Sequence, residues 1–258
     1  MSNPSREIFD SAVAHAPLHD RKEAALRAWR STWRRASGLL RCALPQLCAL
    51  CAAPCGGLLL CASCNGALPR LARPCPCCAL PTQGGAMCER CEARRPPWTR
   101  AHAAFAYAYP LDRVLHAFKY RGALAYAPLF ADALGRSVRT TPDAIVALPL
   151  AAKRQRERGY NQAAEIARPL ARSLRLPLLD ALARTRDTPA LATLPWRERQ
   201  RAVAGAFAAT MPLRGRTLAL VDDVLTTGST LRAATIELLA AGAARVDVWV
   251  VARTLPPE

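Results

Sequence analysis

Residues 218–230 read LALVDDVLTTGST, and few folds accommodate that order. An apolar run meets two adjacent carboxylates, Asp222 and Asp223. A Thr/Gly/Ser cluster then opens the helical periodicity of Leu231 to Leu239. The pattern predicts a strand, a loop of phosphate size and a helix N-terminus. Across Thr226 to Thr230, the backbone N–H groups of Thr227, Gly228, Ser229 and Thr230 are then the unpaired donors of a first helical turn, and the helix dipole adds partial positive charge. An anion belongs in such a cradle. Ionised carboxylates only accept hydrogen bonds, so Asp222 and Asp223 suit the vicinal hydroxyls of a sugar. Ribose 5-phosphate matches both halves. An ordinary helix cap needs one Ser or Thr and leaves the carboxylate pair unexplained.

The loop lacks the GxxxxGK[ST] spacing of a Walker loop and the GxGxxG of a dinucleotide fold. It resembles the signature of the type I phosphoribosyltransferases, which bind phosphoribosyl pyrophosphate (PRPP). A second segment points the same way. Asp143 to Leu150 reads as a buried strand and is followed by AAKRQRERGYNQ, where Lys153, Arg154, Arg156 and Arg158 face only Glu157 as a counter-charge. A pyrophosphate needs such partners, although the segment taken alone reads better as a solvated basic turn.

Together with LALVDDVLTTGST, the string PLAAKRQRERGYNQ is similar to the ComF/GntX family of PRPP-binding proteins. The likeness runs on through RTRDTPALATLPWRERQRAVAGAF, residues 184–207, which in that family is a mobile flap beside the phosphoribosyl site. Leu191 and Ala202 stand where the family has Gln and Asn, and Ala151 and Ala152 where His and Pro are common. The resemblance covers roughly Cys48 to Leu255. In purine-salvage members of the wider superfamily an Asp precedes the Thr-Gly step; Thr226 stands there and disfavours that chemistry.

The N-terminal third is built on cysteine. Eight of the chain's 11 cysteines make four CxxC knuckles, Cys48/Cys51, Cys61/Cys64, Cys75/Cys78 and Cys88/Cys91, and each of the first two recurs 27 residues later. Two such thiolate pairs close a tetrahedron around Zn2+ with no open position, so two structural zinc sites are expected. The segment is too short of large apolar side chains to build its own core, and metal supplies folding energy on the order of 10 kcal/mol per site. Spacing leaves the pairing open between neighbouring knuckles and an interleaved set, and Cys77 competes with Cys78. Cys42 and Cys55 are left over. The first twenty residues carry no apolar leader, which points to a reducing, cytoplasmic setting rather than to disulfides.

Between Asp20 and Arg41 the residues Leu26, Trp29, Trp33, Ala36 and Leu40 recur at helical spacing, flanked by Arg27, Arg30, Arg34, Arg35 and Arg41. A basic amphipathic helix of this kind lies on a membrane surface, meets nucleic acid, or docks on protein. The chain carries 36 Lys and Arg against 19 Asp and Glu, a formal +17, and the excess is present in residues 1–41, 42–100 and 101–258 alike. That field favours polyanions and anionic substrates. Phe105, Tyr107, Tyr109 and Tyr120 with His102, Lys119 and Arg121 either stack bases or, in strand register, face a core. No segment is long and apolar enough to span a membrane.

The expected order is strand 103–109, helix 111–138, strand 143–150, helix 161–174, flap, strand 217–221, helix 229–241 and strand 246–253. That is an α/β fold, a mostly parallel sheet flanked by helices of type I phosphoribosyltransferase kind, with a small N-terminal double zinc ribbon. Residues 1–41 form a tail and basic helix, 42–99 the ribbon and 100–258 the phosphoribosyltransferase-like domain. Ligands of such sheets bind at strand carboxyl ends. Asp222 and Asp223 would hold ribose hydroxyls, with Mg2+ accompanying PRPP. Thr226, Thr227, Gly228, Ser229 and Thr230 would hold its 5-phosphate, and Lys153 and Arg154 its pyrophosphate. Two functions follow. The resemblance implies a PRPP-binding protein of DNA uptake and natural competence that binds single-stranded DNA. The fold alone implies an active phosphoribosyltransferase with an unidentified acceptor.

Overall fold

The structure is a computed structural model that describes residues 46–186 and 205–256. The amphipathic stretch 20–41, Cys42, and the flap positions Leu191 and Ala202 lie outside the described residues. The chain divides into two compact units, residues 1–64 and 65–258. The division falls between the two cysteine repeats, and the second repeat belongs with the larger unit for a physical reason. Its backbone is bonded into that unit's sheet: Ala101 N–H donates to Pro76 O at 2.8 Å and Ala106 N–H to Pro69 O at 2.7 Å.

In chain order the helices are α1 (Ala62–Gly66), α2 (Glu89–Ala93), α3 (Leu111–Tyr120), α4 (Tyr126–Ser137), α5 (Ala152–Arg158), α6 (Gln162–Leu174) and α7 (Ser229–Ala240). The strands are β1 (Arg100–Ala106), β2 (Ala144–Ala147), β3 (Leu178–Leu179), β4 (Leu182–Arg184), β5 (Phe207–Ala209), β6 (Thr217–Leu225) and β7 (Arg245–Arg253). Five of them form a sheet in the order β1-β7-β6-β2-β3, with every neighbouring pair parallel, while β4 and β5 make a separate antiparallel pair. β7 is an interior strand covered on both faces, which is why Val248 to Ala252 form a continuous apolar run with no alternation. Helices α4 and α6 pack on one face. Helix α7 packs on β6 and β7, and the β4–β5 pair packs against α7.

Local sequence explains the helices that matter. In α6 the Asn161 side chain caps the first turn by accepting from Ala163 and Ala164 N–H, and Ala163, Ile166, Ala167, Leu170 and Ala171 form the buried stripe. The single helix expected over 111–138 is two, because Gly122 adopts a left-handed φ of 64° and the chain turns there. Phe118 and Phe130, one from each half, then meet edge to face at 5.2 Å. The strand expected to stop at Val221 runs on to Leu225, so both aspartates are strand residues. Pairing with β7 continues past them through Asp222↔Val250 and Val224↔Ala252, and this long-range ladder outweighs the poor strand propensity of Asp. β3, β4 and β5 are too short to leave a periodic signal.

Candidate functional site

β2 and β6 are parallel neighbours in register, with Ala147 opposite Val221. The basic segment after β2 and the hydroxyl-rich loop after β6 therefore emerge side by side from the same edge of the sheet, although they are far apart in sequence. This edge is where open parallel sheets bind ligands. The basic segment is a short helix, α5, rather than a turn. Lys153 on it is exposed, and Arg154 is half-buried.

Among the described residues the amides of the β6–α7 loop have no acceptor. Gly228, at φ 77°, is the N-cap of α7, and no side chain caps the helix. Arg253 at the end of β7 fixes the loop from behind: its Nη1 donates to Leu225 O at 2.7 Å and Thr226 O at 2.5 Å, and its Nε to Cys78 O at 2.8 Å. With those carbonyls held, the first-turn N–H groups of α7 remain as donors at the sheet edge. Thr227 Oγ1 and Ser229 Oγ lie 3.1 Å apart and complete a small hydroxyl-lined cradle. Glycine is required at 228 for space as well as for φ. A Cβ there would stand 2.9 Å from Trp98 Cη2 and 3.3 Å from Leu225 Cδ1. Trp98 is itself fixed by donating from Nε1 to Cys77 O at 2.6 Å.

The two carboxylates are unlike each other. Asp223 is buried and pairs with Lys119 of α3 at 3.1 Å. Burial alone would lower the Lys119 pKa, but Asp223, with Asp222 behind it, holds it above the ordinary lysine value. Asp222 is pushed up to about 7 by burial and by the adjacent charge of Asp223, against the pull of the Asp223 N–H, Lys119 and Arg184. Lys119 also lines a cleft of about 240 Å³ with Tyr120, Gly122, Arg154, Glu157, Arg158 and Tyr160. The structure thus brings Arg154, Lys119 and Asp223 together, and Lys153 is not among the residues lining that cleft. Lys119 and Arg253 carry no local motif, so sequence reading assigned them no part in the site.

The Arg-Gly-aromatic-Asn-Gln run turns out to be a brace for this edge. Arg158 donates to Gln162 Oε1 at 3.0 Å and lies over the Tyr120 ring, Tyr160 OH donates to Phe118 O, and Asn161 Nδ2 donates to Leu148 O at 3.0 Å. These bonds tie the end of β2 to α3 and α6. Of the aromatic group expected either to stack bases or to face the core, Phe105 is buried while Tyr107, Tyr109 and Tyr120 are exposed. The flap is rooted in the β4–β5 pair, with the Arg184 guanidinium 5.2 Å from the Phe207 ring centre.

The cysteines gather as neighbouring knuckles, not interleaved. Cys48, Cys51, Cys61 and Cys64 form one set and Cys75, Cys78, Cys88 and Cys91 the other, with the sulfurs of each set within 4.8 Å of one another. A tetrahedron with Zn–S near 2.3 Å needs sulfurs about 3.8 Å apart. The Cys51–Cys61 and Cys78–Cys88 pairs stand at 3.7 and 3.6 Å, so the residues fit a Zn2+ ion. The knuckle turns are copies: Ala52 N–H donates to Cys48 O at 2.8 Å and Ala79 N–H to Cys75 O at 2.9 Å, both alanines in left-handed φ. Backbone N–H donors, that of Cys61 first, lower the Cys48 thiol to about 6. Burial raises the Cys75 thiol, but the N–H groups of Cys88, Cys77 and Cys78 bring it to about 7. Each set thus holds one thiol ready to ionise. Cys77 is buried and outside the set, and Cys55 donates to Leu58 O at 2.9 Å.

The phosphoribosyl transferase domain family matches residues 160–255. The DNA utilization protein YhgH of Escherichia coli K12 is 38% identical over 169 residues, 62% of this chain and 74% of that protein. Competence protein F of Haemophilus influenzae is 31% identical over 172 residues, 62% of this chain and 75% of that protein. The chain belongs to the ComF/GntX family. Among solved structures, glutamine PRPP amidotransferase from B. subtilis aligns over 48% of this chain and 26% of that one, at 20% identity and a TM-score of 0.36. The fold class of the ComF/GntX chain follows from its parallel sheet, the matched domain family and the two cysteine sets. No helix of the described residues is long and apolar enough to cross a membrane.

Proposed function

We propose that this chain binds PRPP, or a related phosphorylated ribose, at the carboxyl edge of its sheet, and that it serves the use of DNA in the cytoplasm by handling single strands. The uncapped N-terminus of α7, set directly after the two strand carboxylates, carries the reading. The 5-phosphate lies on the amides and hydroxyls of Thr226 to Thr230, and the ribose hydroxyls lie at Asp222 and Asp223. Mg2+ accompanying PRPP would be held beside the same carboxylates and would neutralise pyrophosphate charge. Arg154, which lines the Lys119 cleft, would take the pyrophosphate, with Lys153 on the same helix. The two cysteine sets each hold a structural Zn2+. The names of the E. coli and H. influenzae relatives and the basic charge of the chain support the DNA role. The match to the phosphoribosyl transferase domain keeps a transferase as the second reading, in which the acceptor's nucleophile takes the ribose C1 and pyrophosphate leaves.

A thermal-shift series tests the pocket. PRPP with Mg2+ at 100 times its dissociation constant should stabilise the protein by about 2.7 kcal/mol, and ribose 5-phosphate by less. Absence of any shift with PRPP at millimolar concentration would sink the reading.

A further inference from the structure

The other flank of the β6–α7 loop carries a second concave site. A pocket of about 360 Å³ lies between the Cys75 set and the first turn of α7, lined by Arg90, Arg94, Arg232 and Arg253 and by an apolar wall of Leu80, Pro96, Trp98 and Leu225, with Thr227 at its edge. All these residues belong to the larger unit. Four arginines line this pocket, and no carboxylate does. The side chains of Arg90 and Arg232 make no hydrogen bond or ion pair among the described residues. Arg253 spends its Nε and Nη1 on four carbonyls, and its Nη2 has no acceptor among the described residues.

Zn2+ held by the four thiolates would carry a formal charge of about −2, less than the summed charge of the four arginines that line the pocket. Burial, with the like charge of Arg94 added, pulls the Arg232 pKa down, as expected of a cation held without a counter-charge. Guanidinium groups in this number, each a planar fork of donors, match phosphate oxygens. The apolar wall opposite them matches a base or sugar, and the volume falls within the usual range of small-ligand pockets.

We infer that this pocket is a second anion site, which takes the phosphate of a nucleotide against Arg90 and Arg232 and its apolar part against Leu80, Pro96 and Trp98. It does not depend on the PRPP assignment, but it backs onto the same loop, sharing Thr227 at its edge and meeting the loop through Trp98, Gly228 and Arg253. The nucleotide comes either free or as one unit of a single strand. Both present the same phosphate.

Calorimetry on the zinc-loaded full chain with thymidine 5′-monophosphate and with an oligothymidylate tests it. Binding of at least one of the two should weaken at least tenfold in the Arg90→Ala/Arg232→Ala variant and stay unchanged in Asp222→Asn/Asp223→Asn, which reports on the other site. A loss confined to the mononucleotide assigns the free ligand, and a loss with the oligothymidylate assigns the strand. Should the double variant lose zinc, Arg232→Ala alone, outside the cysteine set, carries the test through a threefold or greater loss. Undiminished binding of both probes in the variants, or binding of neither to the parent chain, overturns the proposal, and in the first case leaves PRPP binding untouched.

Discussion

At the scale of single residues, the account turns on two aspartates that sequence presents as equals and the structure does not. Adjacent strand residues point to opposite faces, so Asp223 pairs with Lys119 while Asp222 accepts from the Asp223 N–H. The folded pKa of Asp222, about 7, lies above its ordinary 3.8. The folded state therefore binds more protons than the unfolded one between about pH 4 and 7, and the stability due to this group falls as pH rises through that window. Binding of Mg2+ and PRPP needs the ionised form. PRPP affinity should rise about tenfold from pH 6 to 8, as the ionised fraction does for a group of pKa near 7. Asp222→Asn should flatten that profile and raise Tm at pH 8. A calorimetric titration at three pH values measures the first effect and a melting series the second; parallel profiles for parent and variant would refute the assignment. The carboxylate pair and the Thr-Gly-Ser loop are legible in sequence because their chemistry is local. Lys119 and Arg253 are not, since each acquires its role only when the sheet brings a distant segment against it.

Elements show the same division between local and long-range information. The spans of α6 and β7 follow from residue pattern. The extension of β6 to Leu225 follows from a partner strand that no local window contains, and β3 to β5 are short ladders that exist only by pairing. Knuckle spacing gives the cysteine sets, and only three-dimensional proximity gives their pairing. The duplicated ribbons also sit in different surroundings. Cys61→Ser should lose one of two bound zinc ions and leave the second set and the α/β unit intact. Cys88→Ser occupies the matching place in the repeat, in the set whose neighbouring carbonyls hold Trp98 and Arg253. It should also lose one zinc, and weakening those two bonds should lower stability by about 2 kcal/mol, roughly 4–8 °C in Tm. Elemental analysis with thermal melts distinguishes the variants, and equal melting temperatures would contradict the coupling of the second ribbon to the sheet.

For the whole molecule, two loops that sequence places in separate segments leave neighbouring strands at one edge, and a basic field covers every region of the chain. Fold class and edge were readable from the alternation of strands and helices. The arginine pocket behind the loop was not, because its cations come from α2, α7 and β7 and no window of sequence contains them together. The spread of charge predicts that single-stranded DNA binds with an affinity that drops about tenfold or more between 50 and 200 mM salt. Deletion of residues 1–41 should leave most of that binding, since the basic excess extends well beyond them. Fluorescence anisotropy at two salt concentrations checks both statements, and loss of binding on deletion would move the contact to Trp29 and Trp33.

The central claim is that the carboxyl edge of β6 binds PRPP through its carboxylate pair. Isothermal titration of PRPP with Mg2+ into the parent protein and into Asp222→Asn/Asp223→Asn, matched for zinc content and secondary structure, tests it most directly. The account predicts saturable binding to the parent and a loss of at least tenfold in affinity in the variant. Equal affinity in the two proteins, or no binding to the parent, would contradict it.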